Sequence, residues 1–164
     1  MSCYIGFVVG GFRVIAGERE YASGSLQNLF VGVWREEVTK SAVDGLYRGL
    51  RSLVRDWPGG VGMFLYVEQG TVVPPPAVRD FLIEQRRLVA PHLLAASVAV
   101  EGHGLWSATV RTIAVTLGLA SGTNYPSMSF GSVEEAIIWQ RSQMGPDFTV
   151  PTDVIIRAVA SLRS

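Results

Sequence analysis

Apolar positions along this chain change rhythm repeatedly, from short unbroken runs to stripes recurring at three- and four-residue steps. Leu29–Trp34 (LFVGVW) and Gly62–Val67 (GMFLYV) are nearly all apolar, the pattern of strands covered on both faces. Between them Val43, Leu46, Leu50, Leu53, Val54 and Trp57 fall on one side of a helix. Ser41-x-x-Asp44 resembles a capping box for that helix. Trp57-Pro58-Gly59-Gly60 stops it, because the residue before proline is pushed out of helical geometry and glycine frees the turn. A second stripe, Val78, Phe81, Leu82, Gln85, Leu88 and Val89, runs from Pro76, which suits a first helical turn, to Pro91. Leu94–Val100 predicts a strand of small residues. Trp106, Val110, Ile113, Ala114 and Leu117 predict a helix over 105–119, closing at Ser121-Gly122. Ser127–Phe130 reads as a short strand. Ser132-Val133-Glu134-Glu135 is a full capping box, opening a helix that buries Ala136, Ile137 and Trp139 or Gln140.

The two ends frame this alternation. Tyr4–Val9 and Phe12–Ala16 are strand-like runs joined by Gly10-Gly11, a pair suited to a hairpin turn. Ala22–Asn28 is small and polar and reads as a loop. Gly145-Pro146 breaks the chain, and Thr152–Leu162 predicts a last helix packing Ile155, Val159 and Leu162. Alternating strands and helices point to the α/β class. The expectation is a central mixed sheet of four to five strands with packed helices. Residues 1–144 would form that domain, and 145–164 an appended C-terminal helix.

Composition narrows the classes of function. Of the 164 residues 48% are hydrophobic and 17% charged, enough apolar surface to offset the entropy of ordering. Fourteen basic residues balance fourteen acidic ones, which argues against a general binder of nucleic acid or anionic membrane. Arg79, Arg86 and Arg87 form a local basic cluster, and they read as a solvated helix face. Cys3 is the only cysteine, so neither a disulfide framework nor a multi-thiolate metal site is expected, and its surroundings fit an inert thiol. Met1-Ser2-Cys3-Tyr4 lacks the basic start of a signal peptide, and no apolar stretch approaches the ~20 residues that span a bilayer. A reducing cytoplasm is the expected location. Zero formal charge and low charge content predict self-association as a homodimer.

The order of elements resembles the STAS-like fold of anti-sigma-factor antagonists over roughly residues 4–144. The closest local echo is Met128-Ser129-Phe130-Gly131-Ser132-Val133-Glu134-Glu135-Ala136 followed by Trp139, similar to a closing segment of lipid-carrier-like relatives of that fold. The resemblance implies a regulatory module that works through a protein partner. The antagonists' phosphorylatable Asp-Ser-Ser-Gly is missing. The corresponding place reads Glu68-Gln69-Gly70-Thr71-Val72-Val73-Pro74, with one hydroxyl and no helix starting directly after it. A phosphorylation switch on Thr71 is therefore not expected, and Ser132 is already committed as a helix cap.

Candidate chemistry gathers beyond the carboxyl ends of the predicted strands, where open α/β sheets bind ligands. Glu68, Thr71, Glu101, His103 and Trp106 are the candidate ligand-binding residues. His103 in Glu101-Gly102-His103-Gly104 has the chemistry of a general base oriented by Glu101, with Ser107 one helical turn on. The competing reading is an exposed loop histidine. Glu68 and Glu101 form a carboxylate pair if their strands are neighbours. Trp106 beside His103 is the tryptophan suited to line a pocket, while Trp34, Trp57 and Trp139 read as packing anchors. His92 and His103 lie eleven positions apart without a third partner, a weak zinc pattern. No dinucleotide or phosphate-loop motif occurs, so no cofactor is expected. Two functional classes follow: a non-enzymatic binding or regulatory module, and a protein holding a small apolar or lipid-like molecule at the strand ends. An enzyme built on His103 and Glu101 is a distant third.

Overall fold

The computed structural model describes residues 10–122 and 124–164. The expected strand Tyr4–Val9 and Cys3 lie outside them. Within the described residues the fold is α/β, with one mixed sheet of six strands in the order β1 to β6. These are β1 (Phe12–Gly17), β2 (Tyr21–Leu26), β3 (Leu29–Trp34), β4 (Val61–Val67), β5 (Leu93–Val100) and β6 (Ser127–Phe130). The first three are antiparallel neighbours, and β3 to β6 are parallel. Five helices complete it: α1 (Lys40–Asp56), α2 (Pro76–Val89), α3 (Leu105–Ala120), α4 (Val133–Gln143) and α5 (Thr152–Arg163). No described helix is long and apolar enough to cross a membrane.

The sheet exceeds the expected four to five strands because Ala22–Asn28 is mostly strand, not loop. Its small residues, Ala22, Ser23, Gly24 and Ser25, mark close approach to neighbours instead of exposure. All six β2 positions are buried. A Cβ on Gly24 would lie 2.4 Å from the Phe12 ring and 2.8 Å from the Arg13 carbonyl, so only glycine lets β1 lie this close.

Alternation along the strands divides the core into two layers. On one face Phe30, Trp34, Met63, Leu65, Val98 and Val100 meet the apolar stripes of α1, α2 and α3. On the other, Leu29, Val31, Phe64, Tyr66 and Ala99 meet α4 and α5. The three crossovers α1, α2 and α3 link successive parallel strands in one direction, so crossovers of one hand put all three helices on the same face. The segment 145–164 covers the second face, where Ile155, Ala158, Val159 and Leu162 of α5 are buried.

Local signals shift in three places. Thr39, not Ser41, caps α1, its hydroxyl accepting from the Ala42 amide at 3.1 Å. On α2 the inner stripe turns by part of a step: Leu88 is 61% exposed while Arg86 is buried at 5%. On α4 the choice between Trp139 and Gln140 falls to Gln140, which is wholly buried. The Ser132 cap accepts from the Glu135 amide as its motif implies.

Candidate functional site

Strand parity separates the five candidate residues. Glu68 and Glu101 follow β4 and β5 in step with Tyr66 and Ala99, and so belong to the α4–α5 face. There Arg163 of α5 lies between them, its Nε 3.8 Å from Glu68 Oε1 and its Nη1 3.9 Å from Glu101 Oε2. The guanidinium also stands 4.3 Å over the Tyr66 ring. The Tyr66 hydroxyl donates to Glu101 Oε2 at 3.1 Å, and the Val133 amide at the start of α4 donates to Oε1 at 3.5 Å. Ion pairs this long and partly exposed contribute little individually. Together with Arg35, which donates to the Leu162 carbonyl, they hold the last turn of α5 against the strand ends. The two carboxylates are thus neighbours around one cation.

Thr71 and Trp106 occupy the opposite face and touch each other. Thr71 is 3% exposed, and its hydroxyl contacts the carbonyls of Arg35 and Glu68, the latter at 2.7 Å. Its own carbonyl accepts from Trp106 Nε1 at 3.0 Å. Thr71 ties the loop after β4 to the end of β3, and Trp106 ties α3 to that loop. His103 is exposed between β5 and α3 and forms no hydrogen bond or ion pair among the described residues. Ser107 is buried and donates to the Gly104 carbonyl at 3.1 Å, not to His103. No group of three or more His, Cys, Asp or Glu side chains among the described residues is arranged to hold a metal.

Below Thr71 lies a feature that the sequence does not announce. A cavity of about 90 Å³ opens between the sheet and α1, α2 and α3. Trp34, Leu65 and Val98 form its floor. Val110, Ile113 and Leu117 of α3 wall it, and Thr71–Pro74 closes the end near the strand termini. Tyr47 from α1 and Arg86 from the last turn of α2 are its main polar lining. Beyond Val98 and Ala114 a surface groove continues along α3 and β6, lined by Val115, Leu119, Tyr125 and Met128. Ser129 also lines this groove, and its Oγ is buried without a hydrogen-bond partner.

Comparison with protein-family models, curated proteins and solved structures yields no match to this chain.

The parallel strands run β3 to β6 without reversal, so the sheet lacks the crevice that a change of strand order creates. The apolar space sits instead beneath the crossover helices. Arg86 is the residue that sequence reasoning missed. Grouped with Arg79 and Arg87 it reads as solvated charge; the signal that places it inward is its spacing, four residues after Leu82 and three before Val89, both buried.

Burial pushes the Tyr47 phenol up to about 12, with the nearby Arg86 charge pulling it down and Tyr125 pushing it up. A folded pKa above the ordinary value of 10.0 means that the folded state keeps a proton the unfolded chain releases. That stabilisation is complete below pH 10 and is lost as pH rises toward 12. Tyr66, raised to about 12 by burial against the pull of Arg163, acts in the same direction. An alkaline titration followed by tyrosinate absorbance should therefore show Tyr47 ionising together with unfolding, and Tyr47→Phe should move that transition to higher pH.

Proposed function

We propose that this protein binds a small, largely apolar molecule in the cavity beneath α2 and α3. The observation that carries the reading is the cavity itself. Protein interiors pack nearly as densely as organic crystals, yet here a void lined mainly by apolar side chains stays open beside a wall that is only half covered. Of α3, only Ser107 and Gly118 are fully buried. Native mass spectrometry of purified protein tests it. Copurification of a small apolar ligand, or saturable quenching of Trp34 fluorescence by added short-chain alcohols, is the expected result. Neither occurring would overturn the reading.

A second reading, self-association, is favoured by one observation. Leu119 is 79% exposed, Val115 51% and Met128 49%, and they lie along the same groove beside β6, whose outer edge pairs with no strand among the described residues. An open edge next to apolar surface is a template for pairing, and zero formal charge gives two copies no net repulsion. The occupant is a second copy of this chain. Sedimentation should show a dimer that Leu119→Glu dissociates, and a monomer at micromolar concentration would refute it. The regulatory role implied by the STAS-like resemblance would act through this surface.

A further inference from the structure

Arg86 is a buried cation without a counter-ion among the described residues. The residue is 5% exposed, and a guanidinium cannot shed its proton to escape the cost of leaving water. Its Nε donates to the Tyr125 hydroxyl at 2.9 Å and its Nη2 to Ser127 Oγ at 3.2 Å. Both acceptors are neutral. Six arginines form ion pairs among the described residues, namely 13, 19, 48, 51, 157 and 163, and Arg86 is not one of them. The carbonyl end of α2 favours a cation there but supplies no full negative charge. A guanidinium carries five N–H donors, so two bonds leave most of its capacity free, and the side chain lines the cavity together with Tyr47.

We propose that the cavity selects a small apolar monocarboxylate, whose carboxylate pairs with Arg86 while its hydrocarbon lies among Leu65, Val98, Val110 and Leu117. The inference rests on the ligand-binding reading above and adds the charge of the ligand. A carboxylate matches the planar fork of a guanidinium bidentately, and the protonated Tyr47 phenol offers a further donor. A phosphate dianion is the poorer match, because one cation would leave net negative charge among apolar walls. At about 90 Å³ the space is smaller than the ~150 Å³ engineered cavity that holds benzene. That size restricts the ligand to a short hydrocarbon chain.

Pentanoate and its neutral isostere pentanamide are the probes, titrated calorimetrically at neutral pH into wild-type protein and Arg86→Met. The expected result is pentanoate binding at least about tenfold more tightly than pentanamide. In Arg86→Met that advantage should vanish while pentanamide affinity stays within about threefold. Equal binding of both probes to the wild type overturns the charge selection and leaves the apolar site standing. Failure of both to bind overturns the site as well. Should Arg86→Met not fold, the wild type decides alone. The NMR signal of the Arg86 Nε–H should shift with pentanoate and not with pentanamide, and its indifference to pentanoate refutes the pairing.

Discussion

Truncating Phe64 to alanine should remove about 3–5 kcal/mol of stability. Phe64 is wholly buried at the centre of β4, beside Val31 of β3 on one side and Ser97 of β5 on the other. It belongs to the layer that α4 and α5 cover through Ile137 and Ile155. Both helices are anchored through a sheet whose strands cannot close inward, so the vacated volume stays as a cavity and its cost adds to the lost transfer energy. In a chain of 164 residues each kcal/mol corresponds to about 2–4 °C, and the melting temperature should fall by about 10 °C. Phe64→Leu, which keeps most of the volume, should cost about 1.5 kcal/mol or less. Urea denaturation of both variants at unchanged slope is the check, and equal losses from the two would contradict the cavity argument.

The second large effect is expected at Gln140. Ser97 Oγ donates to its Oε1 at 2.6 Å, and its Nε2 donates to the Ala95 carbonyl at 3.4 Å and to Met144 Sδ at 3.6 Å. Ser97 and Gln140 are both wholly buried. Gly62 makes the room: a Cβ there would lie 2.7 Å from Nε2 and 2.2 Å from Met144 Sδ. Gln140→Leu should therefore cost about 1–3 kcal/mol, chiefly because it strands the Ser97 hydroxyl. Adding Ser97→Ala removes the stranded group. The double variant should accordingly be more stable than Gln140→Leu alone, and a double-mutant cycle measures the coupling. Strict additivity of the two changes would sink the account.

The class of fold was legible because LFVGVW and GMFLYV have no polar face to give to solvent, and because the intervening stripes repeat at helical steps. β2 was not legible. YASGSL has one strand-favouring residue, Tyr21, and what holds it is its partners, Phe12 across Gly24 and Trp34 opposite Tyr21. The candidate residues show the same limit. Glu68 and Glu101 sit in step with Tyr66 and Ala99, so their shared face could be counted along the chain. That they enclose Arg163 could not, since α5 arrives from far along the chain. Arg86 was hidden for the opposite reason: an arginine in the last turn of a helix has a sufficient local explanation in the dipole, and only the tertiary arrangement shows Tyr125 and Ser127 holding it inside.

Helix α3 has a kinetic consequence. Its fully buried positions are only Ser107 and Gly118, while Trp106, Val110, Ala114 and Leu117 are partly buried against the core, and Trp106 is linked to the Thr71 carbonyl at one end. A segment with so few fully buried side chains is expected to open at a free energy below that of global unfolding. Detaching it uncovers Val110, Ile113 and Leu117 from above the cavity while α1, the sheet and the α4–α5 layer stay intact. Exchange between the cavity and solvent should then be uncoupled from the lifetime of the native fold, and amide hydrogens of α3 should exchange faster than those of β4 and β5.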